Sequence, residues 1–139
     1  MAKRAKTDYI IIHCADTPAG MDVGVKEIRE WHLQRGFSDV GYHYVVRRNG
    51  DIEAGRWIDE VGAHCKAQGR NHDSIGICLV GGKPDANFTQ PQLNALKNLV
   101  YDLLFAYPDA KVAGHRDFED GKTCPNFDIR AWWYGDQKR

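Results

Sequence analysis

Residues 74–80 read Ser-Ile-Gly-Ile-Cys-Leu-Val, a run of strand length that is apolar almost throughout. A strand with apolar residues on both faces is typical of the interior of a sheet that other elements cover on each side. We therefore expect Ser74–Val80 to be a central strand.

Two more strands and a hairpin are predicted around this central strand. Tyr9–Cys14 is a β-branched run of strand length, and Lys111–Ala113 is predicted as a short strand. Tyr42–Arg48 and Asp51–Gly55 are separated only by Asn-Gly, which is the strongest short signal for a hairpin with a two-residue turn.

Three segments are predicted as helices. In Gly24–Arg35, one stripe at helical spacing is formed by Ile28, Trp31, His32 and Arg35, and Gly36 stands just past the end. Thr89–Gln92 is a capping box, and apolar residues then recur at helical spacing up to Pro108. Asp128–Tyr134 is predicted as a short C-terminal helix.

The order of these elements indicates the fold class. Strands and helices are interleaved along the chain, which predicts an α/β protein with a mixed central β-sheet flanked by about three helices. Nothing in the sequence divides the chain, so we predict a single domain over residues 1–139. Within it, residues 1–7 are predicted as a basic N-terminal tail and residues 135–139 as a polar C-terminal tail.

The charge balance and the start of the chain exclude several classes of protein. The chain has 19 Lys and Arg residues and 19 Asp and Glu residues, so its formal net charge is zero and no nucleic-acid partner is predicted. The basic start is not followed by an apolar segment long enough for a signal peptide or a membrane span. We therefore predict no membrane insertion and synthesis in the cytoplasm.

Histidine and cysteine residues offer one candidate metal site. The chain has 6 His and 4 Cys residues but no CxxC pair. His13 ends the first predicted strand, His115 follows the last one, and Cys124 lies in an irregular segment beyond it. Two imidazoles and a thiolate suit zinc and leave a fourth position for water. By spacing alone, the alternative is that these are ordinary strand-end histidines and a buried thiol.

Several motifs, in order from about Asp8 to Trp133, resemble one known family. The sequence is similar to the type 2 N-acetylmuramoyl-L-alanine amidases, which include the peptidoglycan recognition proteins, and most closely to the short phage amidases called lysozymes. The similar segments are Ile12–Cys14, Val23–Arg29, Asp39–Tyr44, Gly62–His64, Asn71–Ile77, Asp85–Thr89 and Lys122–Pro125.

The resemblance implies a function and a set of site residues. It implies a zinc-dependent hydrolase with one Zn2+ per chain, held by His13, His115 and Cys124 at the floor of a groove. It makes Tyr42 and Lys122 the catalytic residues. The predicted substrate contacts are His64, Asn71 and, from its position after the hairpin, Trp57.

The implied reaction is cleavage of the amide that joins N-acetylmuramoyl to L-alanine in bacterial peptidoglycan. The resemblance also implies a phage or prophage endolysin, made in the host cytoplasm and acting on the cell wall after release. We expect a monomer. Tyr42 and Lys122 can stabilise charge that develops in the reaction, although a packed strand tyrosine and a solvated loop lysine are the alternatives.

Three other functions remain open from the sequence. A binding module that recognises peptidoglycan without cutting it would lack the ligand cysteine, which is present here. A glycosidase would need two facing carboxylates, and no pair among Glu27, Asp51, Glu53 and Glu60 is set together by the sequence. Regulation of a phage RNA polymerase, known for a phage lysozyme of this type, stays open as a further role.

Overall fold

The computed structural model describes residues 2–135 of the 139-residue chain. Met1 and residues 136–139, which belong to the two predicted tails, lie outside the described residues. The elements in chain order are β1 (Tyr9–Cys14), β2 (Thr17–Pro18), α1 (Val25–Gln34), β3 (Tyr44–Val46), β4 (Ile52–Ala54), a 3-10 segment (Ala67–His72), β5 (Ser74–Leu79), β6 (Gly82–Lys83), α2 (Gln90–Ala106), β7 (Lys111–Gly114), a 3-10 turn (His115–Asp117) and α3 (Ile129–Tyr134).

Five strands form a mixed sheet in the order β4-β3-β5-β1-β7. β1 pairs parallel with β5 and β7, β3 pairs parallel with β5, and only the β3–β4 hairpin is antiparallel. β5 is the middle strand and every one of its residues is buried. The predicted central strand and the predicted mixed sheet are therefore confirmed.

Helices cover both faces of this sheet. α2 and α3 pack on one face, where Ile10 and Ile12 of β1 join the largest apolar cluster. α1 packs on the other face through Val25 and Ile28. Side chains alternate along β1, so His13 points away from the α2 face. The side of the sheet that carries α1 therefore also carries the candidate site.

The capping box predicted for the second helix is present. Thr89 Oγ1 accepts a hydrogen bond from the backbone N–H of Gln92, and Gln92 Oε1 accepts one from the backbone N–H of Thr89. Two donors that a helix start leaves unpaired are satisfied in this way. The buried Gln92 amide also donates to the carbonyl oxygens of Val46 and Val80, which ties the start of α2 to the sheet.

The hairpin has a longer turn than the sequence predicts. Val46 pairs with Ile52, and Arg47 bonds to Asp51, so three residues rather than two form the loop. A two-residue Asn-Gly turn requires positive φ at both residues. Here Gly50 alone adopts it, with φ of 95°, as the last residue of a three-residue loop.

The N-terminal segment lies against the body of the protein. Lys3 forms an antiparallel bridge with Glu60, and the Arg4 guanidinium donates to the carbonyl oxygens of Ile58 and Glu60. All four cysteines are free thiols. No helix within residues 2–135 is long and apolar enough to cross a membrane.

His43 makes the stability of the fold depend on pH. Its Nδ1 accepts a hydrogen bond from the backbone N–H of Gly76, at 3.0 Å, and its Nε2 lies 2.7 Å from the carbonyl oxygen of Glu60. This arrangement suits a neutral imidazole protonated on Nε2. Burial lowers the pKa of His43 from 6.5 to about 4, because the charged form loses its hydration.

Acid is therefore expected to destabilise the protein through His43. Between pH 6.5 and about 4 the unfolded chain binds a proton that the folded chain does not, so stability is complete above pH 6.5 and is lost as the pH falls. The difference corresponds to about 3 kcal/mol of unfolding free energy. Urea unfolding of metal-free wild type and His43→Gln at pH 7.5 and pH 4.5 measures it. The variant should be less stable than wild type at pH 7.5, and its unfolding free energy should fall less between pH 7.5 and pH 4.5. Equal decreases in unfolding free energy for the two proteins would contradict the prediction.

Candidate metal centre and groove

The register of the sheet brings two histidines together. Ile12 of β1 pairs with Gly114 of β7, so the next residues, His13 and His115, lie side by side where these two parallel strands end. Their ring centroids are 4.7 Å apart. The carboxyl ends of parallel strands are where α/β proteins place their ligand sites.

Cys124 reaches the same point from the irregular segment that follows β7. The backbone N–H of Arg116 donates to the carbonyl oxygen of Cys124, which turns this segment back toward the sheet. The backbone N–H of Cys14 donates to Cys124 Sγ at 3.1 Å. The ligand atoms that His13, His115 and Cys124 offer lie within 4.8 Å of one another. These three residues can therefore hold one metal ion.

The protonation states of His13 and Cys124 are compatible with binding of a cation. Burial, with smaller contributions from His64 and His115, lowers the pKa of His13 well below 6.5, so this ring is a neutral donor. The neighbouring Cys14 thiol and burial raise the pKa of the Cys124 thiol. Without a cation the thiol therefore keeps its proton, and a metal ion bound here would displace that proton, because cysteine binds metals as the thiolate. Two imidazoles and one thiolate match the donor preferences of zinc.

Each histidine of the cluster has a partner for its outer ring nitrogen. His115 Nε2 lies 2.8 Å from Glu119 Oε1, and His13 Nε2 lies 2.8 Å from His64 Nδ1. Histidines that bind metals generally donate their second N–H to such a partner, which fixes the orientation of the ring. Nδ1 is then the nitrogen that each histidine has left for an ion.

A groove of about 670 Å³ opens over the cluster. Its wall includes seven of the eight site residues predicted from the sequence: His13, Tyr42, His64, Asn71, His115, Lys122 and Cys124. The fold thus brings together, in one concave site, residues that come from distant parts of the chain.

Tyr42 lies beside the cluster. Its ring centroid is 5.2 Å from that of His13 and 5.4 Å from that of His32. Burial, together with the nearby thiols of Cys78 and Cys124, raises the pKa of the Tyr42 hydroxyl well above 10. The hydroxyl therefore keeps its proton at neutral pH and can donate a hydrogen bond.

Lys122 is exposed on the groove wall, two residues before Cys124. Its backbone N–H donates to the carbonyl oxygen of Glu119 at 3.3 Å, which closes the turn before Cys124. The ammonium group can therefore act on a molecule in the groove.

The predicted substrate contacts occupy different places. Asn71 Oδ1 accepts hydrogen bonds from the backbone N–H groups of His64 and Cys65, so it holds the loop that carries His64. His64 is buried, and both of its ring nitrogens are bonded within the protein, to His13 and Ser74. Trp57 is 77% exposed and lines a separate pocket of about 300 Å³, so it is not brought together with the others.

Sequence reasoning missed Glu119, which is the partner of His115, and Ser74, which is the partner of His64. Glu119 lies four residues after His115, and this spacing is the signal that could have indicated the pair. No comparable signal points to Ser74, because its contact with His64 depends on how a loop folds over β5.

Comparison with known proteins identifies the family. Residues 3–127 match the family described as Amidase_2, N-acetylmuramoyl-L-alanine amidase. The chain is 48% identical to the endolysin of Klebsiella phage KP32 and 46% identical to that of Escherichia phage T7, over 94% of this chain and 88% of each relative. The structure of Drosophila peptidoglycan-recognition protein LB superposes with a TM-score of 0.80 at 28% identity, covering 98% of this chain and 84% of that one.

The family match spans the five-stranded sheet, α1, α2 and the groove residues named above. The relatives named endolysins and peptidoglycan-recognition proteins support peptidoglycan as the molecule that this chain acts on or binds. The chain belongs to the N-acetylmuramoyl-L-alanine amidase family, close to its phage endolysins, and is an amidase of that kind.

Proposed function

We propose that the chain is a zinc-dependent hydrolase that cleaves the amide between the lactyl group of N-acetylmuramoyl and L-alanine in bacterial peptidoglycan. One Zn2+ per chain would be held by His13, His115 and Cys124. The observation that carries the proposal is the convergence of these three donors in the wall of a large open groove.

The donor set is suited to hydrolysis of an amide. His13, His115 and Cys124 would hold zinc with three protein ligands, and zinc held in this way would supply a nucleophile from water at neutral pH and polarise the carbonyl group. The single thiolate of Cys124 would offset one of the two positive charges of the ion, so the site would keep a net positive charge next to the developing oxyanion.

Tyr42 and Lys122 supply the remaining groups. The Tyr42 hydroxyl, which holds its proton, donates a hydrogen bond to negative charge on the reacting carbonyl oxygen. The Lys122 ammonium, carried on the exposed segment next to Cys124, attracts the same oxygen. Both groups act more strongly on the charged transition state than on the neutral substrate.

The positions of the carboxylates favour an amidase over a glycosidase. Glu27 Oε1 and Glu53 Oε1 accept hydrogen bonds from the backbone N–H groups of Gly24 and Val25, so these carboxylates stabilise the start of α1. Among the described residues, Asp16 is the acidic side chain that lines the groove. A glycosidase of the usual kind needs two carboxyl groups on either side of the sugar bond.

Digestion of purified peptidoglycan tests the proposal. With zinc present, we expect new amino termini that belong to L-alanine and no new reducing ends. A chelator should stop the reaction, and added zinc should restore it. New reducing ends would indicate a glycosidase, and wall binding without either product would indicate a recognition module.

Glu119 is expected to strengthen zinc binding through His115. Glu119→Gln keeps the size of the side chain but removes the charge that accepts the His115 Nε2–H. Losing such a partner typically lowers metal affinity about 10–100-fold. Competition with a chromogenic chelator measures the change, and Asp120→Asn, which alters an exposed carboxylate next in the chain, is the matched control. Equal affinities for the two variants would contradict the prediction.

Release to the cell wall as a phage or prophage endolysin fits the names of the relatives. Regulation of a phage RNA polymerase and a monomeric state stay predictions from the sequence.

A further inference from the structure

His64 lies in a slot between two glycines. A Cβ atom on Gly76 would be 2.5 Å from His64 Cγ, and one on Gly62 would be 2.6 Å from His64 Cδ2. Neither glycine has a positive φ angle. Close approach of the imidazole, rather than an unusual backbone conformation, therefore explains why these positions lack side chains.

The ring in this slot links the cluster to a buried serine. Ser74 Oγ donates to the carbonyl oxygen of Arg70 at 2.5 Å and lies 3.1 Å from His64 Nε2. On the other side of the ring, His64 Nδ1 lies 2.8 Å from His13 Nε2. Three side chains, Ser74, His64 and His13, thus form one continuous row of hydrogen bonds.

The positions of the hydrogens follow from the donors available. The Ser74 hydroxyl has one hydrogen, which it gives to Arg70, so Ser74 Oγ accepts the hydrogen of His64 Nε2. A neutral His64 then has a lone pair on Nδ1, and the hydrogen between the two rings belongs to His13 Nε2. The burial of the His64 ring inside the slot favours this neutral form.

We propose that His64 is a positioning residue, which with Ser74 fixes His13 as the Nε2–H tautomer and so reserves His13 Nδ1 for the metal ion. The proposal rests on the proposed zinc ligand set. It assigns His64 a role different from contact with substrate, for which the ring would need a nitrogen not already bonded within the protein.

Without this row, His13 would exchange between two tautomers. In one of them Nδ1 carries the hydrogen and cannot accept a metal ion until the proton moves. The row removes that competing state before the ion arrives. The effect should appear in zinc affinity and in the proton positions of the metal-free protein, not only in turnover.

Long-range 1H–15N correlation spectra of the histidine rings read these positions directly in the full-length chain. In metal-free wild type, we expect both His13 and His64 as Nε2–H tautomers. Zinc should shift His13 Nδ1 while the hydrogen on Nε2 stays in place. His13 with its hydrogen on Nδ1 in the metal-free wild type would overturn the proposal.

Variants separate positioning from packing. Ser74→Ala touches neither His13 nor the ligand cluster, yet it removes the acceptor that orients His64. We expect mixed tautomers of His13 and about 10–100-fold weaker zinc binding. His64→Phe fills the slot without nitrogens and should have at least the same effect, whereas His64→Asn, which keeps an acceptor near Nδ1, should recover part of the affinity. Cys65→Ala, a buried truncation outside the row, is the control and should leave both readouts unchanged.

Two outcomes contradict the proposal. Zinc affinity equal to wild type in both Ser74→Ala and His64→Phe would make His64 a packing residue. Weaker zinc binding in His64→Phe but not in Ser74→Ala would show that Ser74 does not help to fix the tautomer of His13. Failure of the wild type to bind zinc would instead refute the proposed function, and the tautomers of the metal-free protein would still test the row independently.

Discussion

Replacing Cys124 with serine is expected to remove both the bound zinc and the hydrolysis of peptidoglycan. Cys124 is the one ligand of the three that becomes an anion when a cation binds, and a serine hydroxyl keeps its proton under the same conditions. The loss of zinc affinity should be larger than the decrease of about 10–100-fold that is typical when a residue supporting a metal ligand is changed. The fold should survive, because the core clusters are formed by other residues.

The measurement is zinc content after dialysis, together with release of L-alanine amino termini from peptidoglycan. Cys65→Ala is the matched control, since Cys65 is a buried cysteine whose thiol lies outside the ligand cluster. Full zinc content in dialysed Cys124→Ser protein would refute the ligand assignment. Normal zinc content without hydrolysis would indicate that Cys124 contributes to catalysis in another way than by binding the metal ion.

The elements that were predicted correctly carry their signals locally. The capping box at Thr89 is a pattern of four consecutive residues, and α2 begins there as predicted. The run of β5, which is apolar almost throughout, predicted a strand buried on both faces. The hairpin turn was predicted one residue too short because Asn49 and Gly50 suit two turn types, and the strand register decides between them.

The candidate site depends on contacts that the sequence does not encode locally. Cys14 and Cys124, which are joined by a hydrogen bond next to the site, are 110 residues apart in the sequence. The pairing of β1 with β7 brings the two histidines together. Spacing alone therefore left the ligand set open, and the resemblance to a family supplied it. A glycine inside a strand is compatible with close approach of another group, but at Gly76 only the structure reveals this approach and identifies the His64 ring as the group.

Trp57 is a residue that the sequence suggested for the site but that the structure places outside the groove. An exposed tryptophan after a hairpin is a reasonable candidate for sugar contact, because aromatic rings can pack against ligands. The direction in which the loop leaves β4 decides which surface the side chain reaches. Here it reaches the pocket formed with Tyr44 and Arg56, apart from the groove. Contact between Trp57 and a glycan chain that extends beyond the groove stays a prediction.

Replacing Lys122 with alanine is expected to lower turnover about 10²–10³-fold while leaving zinc content and KM nearly unchanged. The reason is that the ammonium attracts the oxyanion, which is present in the transition state and not in the bound substrate. Lys122 is exposed, so its removal should not change stability by more than about 0.5 kcal/mol.

Steady-state kinetics on a soluble muropeptide separate turnover from KM for this variant. Lys122→Arg keeps the positive charge on a longer, planar group and should recover part of the turnover. Lys97→Ala, which removes an exposed lysine from α2 on the opposite side of the sheet, controls for the change in net charge. If Lys122→Ala and Lys97→Ala had equal turnover, Lys122 would be a solvated loop residue without a catalytic role. The oxyanion would then be stabilised by Tyr42 and the metal site alone.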